Sequence, residues 1–200
     1  MTKEIGKEFM EKTYYKNLEE SEQKKGVTPP PMELAYDKSK PDFPLPKPET
    51  LQIPAIDLRT AIEKRRSVRK YAEEALTLEE LSWLLWTTQA VKEVWQGRVT
   101  LRNVPSAGAR HAFETYLLIN NVQGLTQGLY RYIALEHKLV EFTLEEAIAD
   151  KVVEGCYGQQ FTKSAAATFI WVAIPYRMTY RYTQRGYRYL HLDAGHVCQN

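Results

Sequence analysis

The stretch EKRRSVRKY, residues 63–71, gathers Lys64, Arg65, Arg66 and Arg69 around one serine, Ser67, and Lys70 follows before Tyr71. Guanidinium groups are planar forks that grip phosphate or carboxylate oxygens two at a time. Three chemistries suit such a cluster. Cations are favourable at a helix C-terminus, so a solvated helix end is the plain one. Arginines alternating with stackable tyrosines, as in YRMTYRYTQRGYRY (176–189), suit a nucleic acid. An arginine fork beside a small hydroxyl suits one phosphate monoester, and here Ser67 weighs, because a merely solvated patch has no use for it.

A second motif lies about forty residues on. VPSAGARHAFETYLL (104–118) places Pro105, Ser106, Ala107 and Gly108 in a turn just before an apolar run. Small residues at a loop tip leave the main chain open to close approach by a flat ligand. An ordinary turn has the same composition, so it is the pair of motifs in this order that carries information.

Composition bounds the alternatives. The chain has 200 residues, 44% hydrophobic and 26% charged, which suits one sizeable domain with a real core. A net charge of +2 provides no global field toward nucleic acid or a membrane, so any anion preference is local. The N-terminus MTKEIGKEFMEKTYY has no apolar core of a signal peptide, and AAATFIWVAIP is far too short to span a bilayer. Cys156 and Cys198 have no metal-like spacing; two free thiols in a reducing, cytoplasmic setting are expected rather than a bridge. His191, Asp193 and His196 do not make a metal site, since a spacing of five puts the histidines on different helix faces.

The elements that must position these residues follow from punctuation. Residues 1–20 suit a short polar helix, and residues 21–56 hold nearly all of the ten prolines, which excludes helix and central strand and predicts an extended arm. Two regions result, 1–55 and 56–200. DLRTAIEKRRS (57–67) is a helix with Asp57 as N-cap, and TLEELSWLLWTTQAV (77–91) opens on the capping box Thr77…Glu80, with Leu78, Leu81, Leu84 and Leu85 on one face. QGRVTLRNVPSAGARHAF (96–113) reads as a loop, TYLLINNV (115–122) as a strand, and GLYRYIALEHKLVEF (128–142) as a hairpin turning near Glu136. TLEEAIADKVVEGC (143–156) reads as a second capped helix. AATFIWVAI (166–174) reads as a buried strand, too apolar to be an exposed edge. The remainder is helical with a break near Gly186. Trp83, Trp86 and Trp95 suit core or interface packing. The class is α+β, with a mostly antiparallel or mixed sheet flanked by helices.

RRSxRxY, then PSAGAR followed by E-x-Y-L, then GLYRY (128–132), GQQF (158–161) and RGYRYLHLDAGHVCQN (185–200) together resemble the nitroreductase-type flavoproteins, and within them the SagB/ThcOx-type dehydrogenases. The resemblance covers roughly 56–200. It implies the nitroreductase-like fold in an intertwined homodimer, with FMN at the subunit interface and NADH or NADPH as co-substrate. Carried over, Arg65, Arg66, Ser67 and Arg69 would hold the FMN phosphate and ribityl chain. Pro105, Ser106, Ala107 and Gly108 would lie against the isoalloxazine of the other subunit's flavin. The implied activity is oxidoreduction of a small organic molecule, with no nucleic acid or membrane as partner and no metal.

Azoline-oxidising members of that branch carry a Lys-Tyr pair where this chain has Arg181-Tyr182. Tyr182 is thus the candidate catalytic acid or base, if Arg181 or Arg185 lowers its pKa. Arginine stays protonated and cannot replace the lysine as a base, so a reductase is the first expectation and an azoline-type dehydrogenase, or a non-catalytic flavin binder, the alternative. The resemblance also implies further family elements after Asn200, which either lie beyond this stretch of sequence or are missing.

Overall fold

The computed structural model describes residues 4–200. The chain forms two compact units: one of residues up to Tyr36, Thr87–Glu114 and Trp171–Asn200, the other of Asp37–Trp86 and Thr115–Ile170.

The second unit carries most of a five-stranded sheet of order β1-β6-β5-β4-β7, formed by β1 (Asp42–Pro44), β4 (Phe113–Ile119), β5 (Gly128–Ile133), β6 (Lys138–Thr143) and β7 (Ala167–Ala173). β4 with β5, β5 with β6 and β6 with β1 are antiparallel. The expected hairpin is β5–β6, with Leu139 paired to Tyr132, and His137 closes its turn in the left-handed region at φ 49°. Tyr130, Tyr132, Ile133 and Leu139 are all buried. β1 is the strand formed by the proline-rich arm. It lies at the sheet edge, where Pro44 costs no ladder hydrogen bond.

Helix α3 (Leu78–Thr88) opens on the expected capping box: the Glu80 amide donates to Thr77 Oγ1 at 3.1 Å and the Thr77 amide to Glu80 Oε2 at 2.9 Å. Leu81 and Leu85 are fully buried, whereas Leu84 is 41% exposed and so lies off the predicted face. The second T-x-x-E is not a capping box. Thr143 ends β6 and its hydroxyl accepts from the Glu145 amide instead, so helix α4 (Ile148–Gly155) begins later, at Ala147. A strand that runs to Thr143 leaves no room for a cap there.

β7 also departs from expectation. It is an edge strand, and all but one of its residues are half-buried, with Val172 43% exposed. Apolarity on both faces reports what covers a strand, not its rank in the sheet of one chain.

The first unit is built on helices α6 (Pro175–Tyr182) and α7 (Gly186–Gln199). The expected helix break near Gly186 is present: it spans Thr183–Arg185, with Thr183 at φ 49°, and Gly186 opens the next helix. Gly186 serves packing: a Cβ there would stand 2.9 Å from the Met178 carbonyl carbon, so only glycine lets the two helices approach this closely. Val104, Ala112, Phe113, Met178, Leu190 and Val197 form the core. The segment read as a loop after α3 holds a hairpin, β2 (Val91–Trp95) and β3 (Val99–Arg102). Gln96 and Gly97, at φ 52° and 64°, lie in its three-residue turn 96–98, and Gln-Gly followed by the alternation Val99, Leu101 was the overlooked signal. Helix α1 (Ile5–Lys12) answers the expected polar N-terminal helix.

Candidate functional site

In the second unit, Asp57 caps α2 (Leu58–Lys64) by accepting from the Thr60 amide at 2.9 Å. Arg65 leaves the helix at φ −56°, ψ 124°, so the basic cluster lies beyond the helix in extended chain. Arg65, Arg66, Ser67 and Arg69 are exposed. Among the described residues, none of the three arginines has a carboxylate partner and Ser67 makes no hydrogen bond. The Arg69 guanidinium lies 5.8 Å from the centre of the Phe161 ring, and both line an open cavity of ≈ 430 Å³ with Lys163 and Ser164. The RRSxR and GQQF motifs, far apart in sequence, thus meet.

The Pro105–Gly108 turn belongs to the first unit. It is held from below by Asp193 on α7, whose Oδ1 accepts from the Ala107 amide at 3.2 Å. The Ser106 hydroxyl accepts from the His111 amide at 2.9 Å, closing the turn on its other side. Asp193 is only 4% exposed, and burial raises its carboxyl pKa against the Ser106 hydroxyl and Ala107 amide that favour the anion. Its place in a possible metal triad is taken by this duty. Among the described residues no three histidine, cysteine, aspartate or glutamate side chains gather as a metal site. Gly108 has φ 60°, and a Cβ there would stand 2.6 Å from the Tyr182 hydroxyl and 2.8 Å from Arg181 Nε. The left-handed backbone favours glycine here, and a Cβ would also have to displace the ends of the Arg181 and Tyr182 side chains. Two motifs picked from sequence, the turn and the tyrosine, lie together.

Tyr182 packs on Tyr189, with ring centres 4.6 Å apart, and the Arg181 guanidinium is 5.5 Å from its ring. Arg185 does not serve Tyr182. It donates through Nε to the Tyr189 hydroxyl at 2.9 Å and through another guanidinium nitrogen to the Thr13 carbonyl at 2.8 Å. Burial pushes the Tyr189 hydroxyl up in pKa, but its bond to the Tyr15 hydroxyl at 3.1 Å and the Arg185 guanidinium outweigh this and lower it. Tyr189 is a residue that sequence reasoning missed. Its signal was the spacing of four from Arg185, which stacks both on one helical face.

Two further features brace the turn. Glu114, first residue of E-x-Y-L, forms a buried ion pair with Arg177, their side chains 4% and 3% exposed. The same carboxylate accepts from the Leu34 amide at 3.0 Å, and Arg177 Nε donates to the Pro31 carbonyl at 3.0 Å, so this pair fastens the proline-rich arm. His111, at φ 42°, is 7% exposed. Burial, then the cationic Arg102, lower its pKa to about 3 against an opposing hydrogen bond to the Thr100 carbonyl, with Arg110 and Arg177 adding to the effect. It is a neutral imidazole ringed by arginines.

The description Nitroreductase family fits residues 62–200. A protein of Methanocaldococcus jannaschii, a nitroreductase by name, is 36% identical over 153 residues, covering 75% of each chain. A solved structure from Anabaena variabilis, also named as a nitroreductase, is 30% identical with a TM-score of 0.63, over 81% of this chain and 33% of that one. The trifolitoxin-processing protein TfxB of Rhizobium leguminosarum bv. trifolii is 27% identical over 124 residues, 60% of this chain and 33% of its own. The chain thus spans about a third of the length of the last two relatives. No described helix is long and apolar enough to cross a membrane. On the match over residues 62–200 and the 36% identity, the chain belongs to the nitroreductase family and has its α+β fold.

Proposed function

We propose that this chain is an FMN-dependent oxidoreductase that carries reducing equivalents from NADH or NADPH to a small organic acceptor, working as a homodimer in the cytoplasm. One observation carries the reading: among the described residues, Arg65, Arg66 and Arg69 stand exposed without carboxylate partners, in one run of chain with the exposed Ser67, whose hydroxyl makes no hydrogen bond. That donor set fits a phosphate dianion, since it brings several fixed positive charges and a neutral hydroxyl with no anion of its own. FMN, when bound, supplies two-electron hydride chemistry, which no side chain of the protein can.

The chain's own work is then to bind and orient. Arg65, Arg66, Ser67 and Arg69 hold the phosphate end. Pro105 to Gly108 offer main chain to the flat ring of the partner subunit's flavin, and Asp193 keeps that turn in one conformation. A dimer suits the apolar surface on α2, which has no buried residue and exposes Leu58 and Ile62 by 75% and 63%. Two unpaired cysteines suit a reducing compartment.

The likeness to a trifolitoxin-processing protein favours a second reading, a dehydrogenase acting on a carbon–heteroatom bond with Tyr182 as base. Arg181 weighs against it, because a permanently protonated neighbour cannot share a proton with Tyr182.

Purified protein tests the proposal. It should be yellow or take up added FMN, and release FMN rather than FAD on denaturation. A bidentate charge-assisted contact is worth about 1.5–3 kcal/mol, so Arg65→Ala or Arg66→Ala should weaken FMN binding by about tenfold or more. Riboflavin, which lacks the phosphate, should bind wild type and variants alike. Colourless protein that ignores added FMN sinks the enzyme, and unchanged FMN affinity in the variants makes the cluster a merely solvated surface patch.

A further inference from the structure

A cavity of ≈ 630 Å³ in the first unit is not used by anything above. Its walls come from the tip of the β2–β3 hairpin, Arg110 two residues beyond the small-residue turn, the end of α6 and the proline-rich arm. Three arginines line it: Arg98 at the hairpin tip, Arg110, and Arg181. Among the described residues none of them has a carboxylate partner. Arg110 donates Nε to the Gly108 carbonyl at 3.0 Å, which fixes the guanidinium relative to the turn and leaves its other nitrogens unbonded to protein. Arg181 lies against Gly108 from the other side. Trp95, Tyr180 and Val27 supply apolar wall between these charges.

Gathering three like charges without a counter-ion is unfavourable. Arg110 feels it directly: burial and then the charge of Arg181 make its guanidinium easier to deprotonate than usual. A solvated arginine would turn away from such neighbours, yet Arg110 is tied in place. An oxyanion entering the cavity would relieve the repulsion and accept from planar donors preset for it. The aromatic wall suits a flat, apolar body behind that oxyanion.

We propose that this cavity is an anion subsite, in which Arg98, Arg110 and Arg181 receive the carboxylate or phosphate of a substrate whose planar body lies against Trp95 and Tyr180. It is separate from the Arg65–Arg69 cluster in residues and in unit. It rests on the oxidoreductase reading only in naming the ligand a substrate, since it abuts the turn assigned there to the flavin ring.

The test is a binding measurement without reductant, so that turnover plays no part. The full chain, loaded with FMN if it takes it up, is titrated by calorimetry and by tryptophan fluorescence with 4-nitrobenzoate, 4-nitrophenyl phosphate and nitrobenzene. The two anions should bind at least about tenfold more tightly than nitrobenzene, the usual worth of a charge-assisted contact. Whichever of the two binds better identifies carboxylate or phosphate as the natural group. Arg98→Ala and Arg181→Ala change exposed side chains, so the fold should persist; each should lose about tenfold in anion affinity, with nitrobenzene unaffected. Arg98→Lys should keep part of the affinity. Equal binding of all three probes, or anion affinity that survives both alanine variants, overturns the subsite. Anions bound but never reduced would keep the subsite and remove the reductase. Reduction of nitrobenzene and both anions alike, in wild type and variants, would do the reverse.

Discussion

His111 offers the sharpest test of how the turn is built. In the fold it is buried among Arg102, Arg110 and Arg177, and its pKa falls from 6.5 to about 3. In the unfolded chain it titrates near its ordinary value, so between those two values the unfolded state binds more protons than the folded one. Stability therefore rises with pH: the contribution is complete above the unfolded pKa and is lost as pH falls toward about 3. At 1.36 kcal/mol per pKa unit, moving from about pH 7.5 to about pH 4.5 should remove about 2.5 kcal/mol through this one imidazole. The perturbation is His111→Asn, which removes the titration and tolerates the left-handed φ of 42°. Urea unfolding of both proteins at the two pH values gives four free energies, and the difference of differences isolates His111 from carboxylates that titrate in the same range. The variant should lose about 2.5 kcal/mol less than wild type on acidification. If wild type and variant lose stability equally, the imidazole is not held neutral among the arginines, and the picture of a charged, tightly braced turn is wrong.

Glu114→Ala leaves Arg177 charged and buried, which should cost about 3–5 kcal/mol in urea unfolding. Because the same pair holds Pro31 and Leu34, limited proteolysis should cut between residues 20 and 36 sooner in that variant; unchanged cleavage would show that the arm is fastened elsewhere. Tyr182→Phe separates the two enzymatic readings. In a simple reductase, anaerobic bleaching of the flavin by NADH or NADPH should match wild type, since that transfer needs no side-chain base. A dehydrogenase should lose roughly a hundredfold or more with its true substrate while still binding FMN. Loss of nicotinamide-driven bleaching in a folded, flavin-loaded variant would overturn the role given to this segment.

What the chain discloses in its sequence depends on whether the controlling interaction is local. Asp57 and Thr77…Glu80 announce their helices because a cap satisfies amides two or three residues away. The β5–β6 hairpin shows in the alternation Tyr130, Tyr132 for the same reason. Thr143…Glu146 misleads with an identical pattern, because β6 runs on to Thr143, which pairs with Leu129 of β5. The site divides along the same line. Its donors were visible as residue types, Arg65, Arg66, Ser67 and Arg69 in one run and Pro105 to Gly108 in another. Their supports were not. Asp193 reaches Ala107 across most of a hundred residues, Glu114 meets Arg177 across sixty-three, and the arm segment around Val27 joins Arg98 and Arg181 in one cavity.

That division says where this chain's specificity should be sought. The short motifs that announce the family are the ones that a common cofactor would read, and each lies on one contiguous run of chain. The three arginines of the cavity come from a hairpin, the chain just after a turn and a helix end that only the fold brings together, and the arm completes their cavity. A change of substrate within the family can then proceed through the arm and the hairpin tip, with the capped helix α2 and the turn over Asp193 left alone. Swapping the β2–β3 tip, residues 95–98, for a neutral turn should accordingly alter which probe anions bind and leave FMN affinity as it was. An equal loss of both would show that the two sites are one.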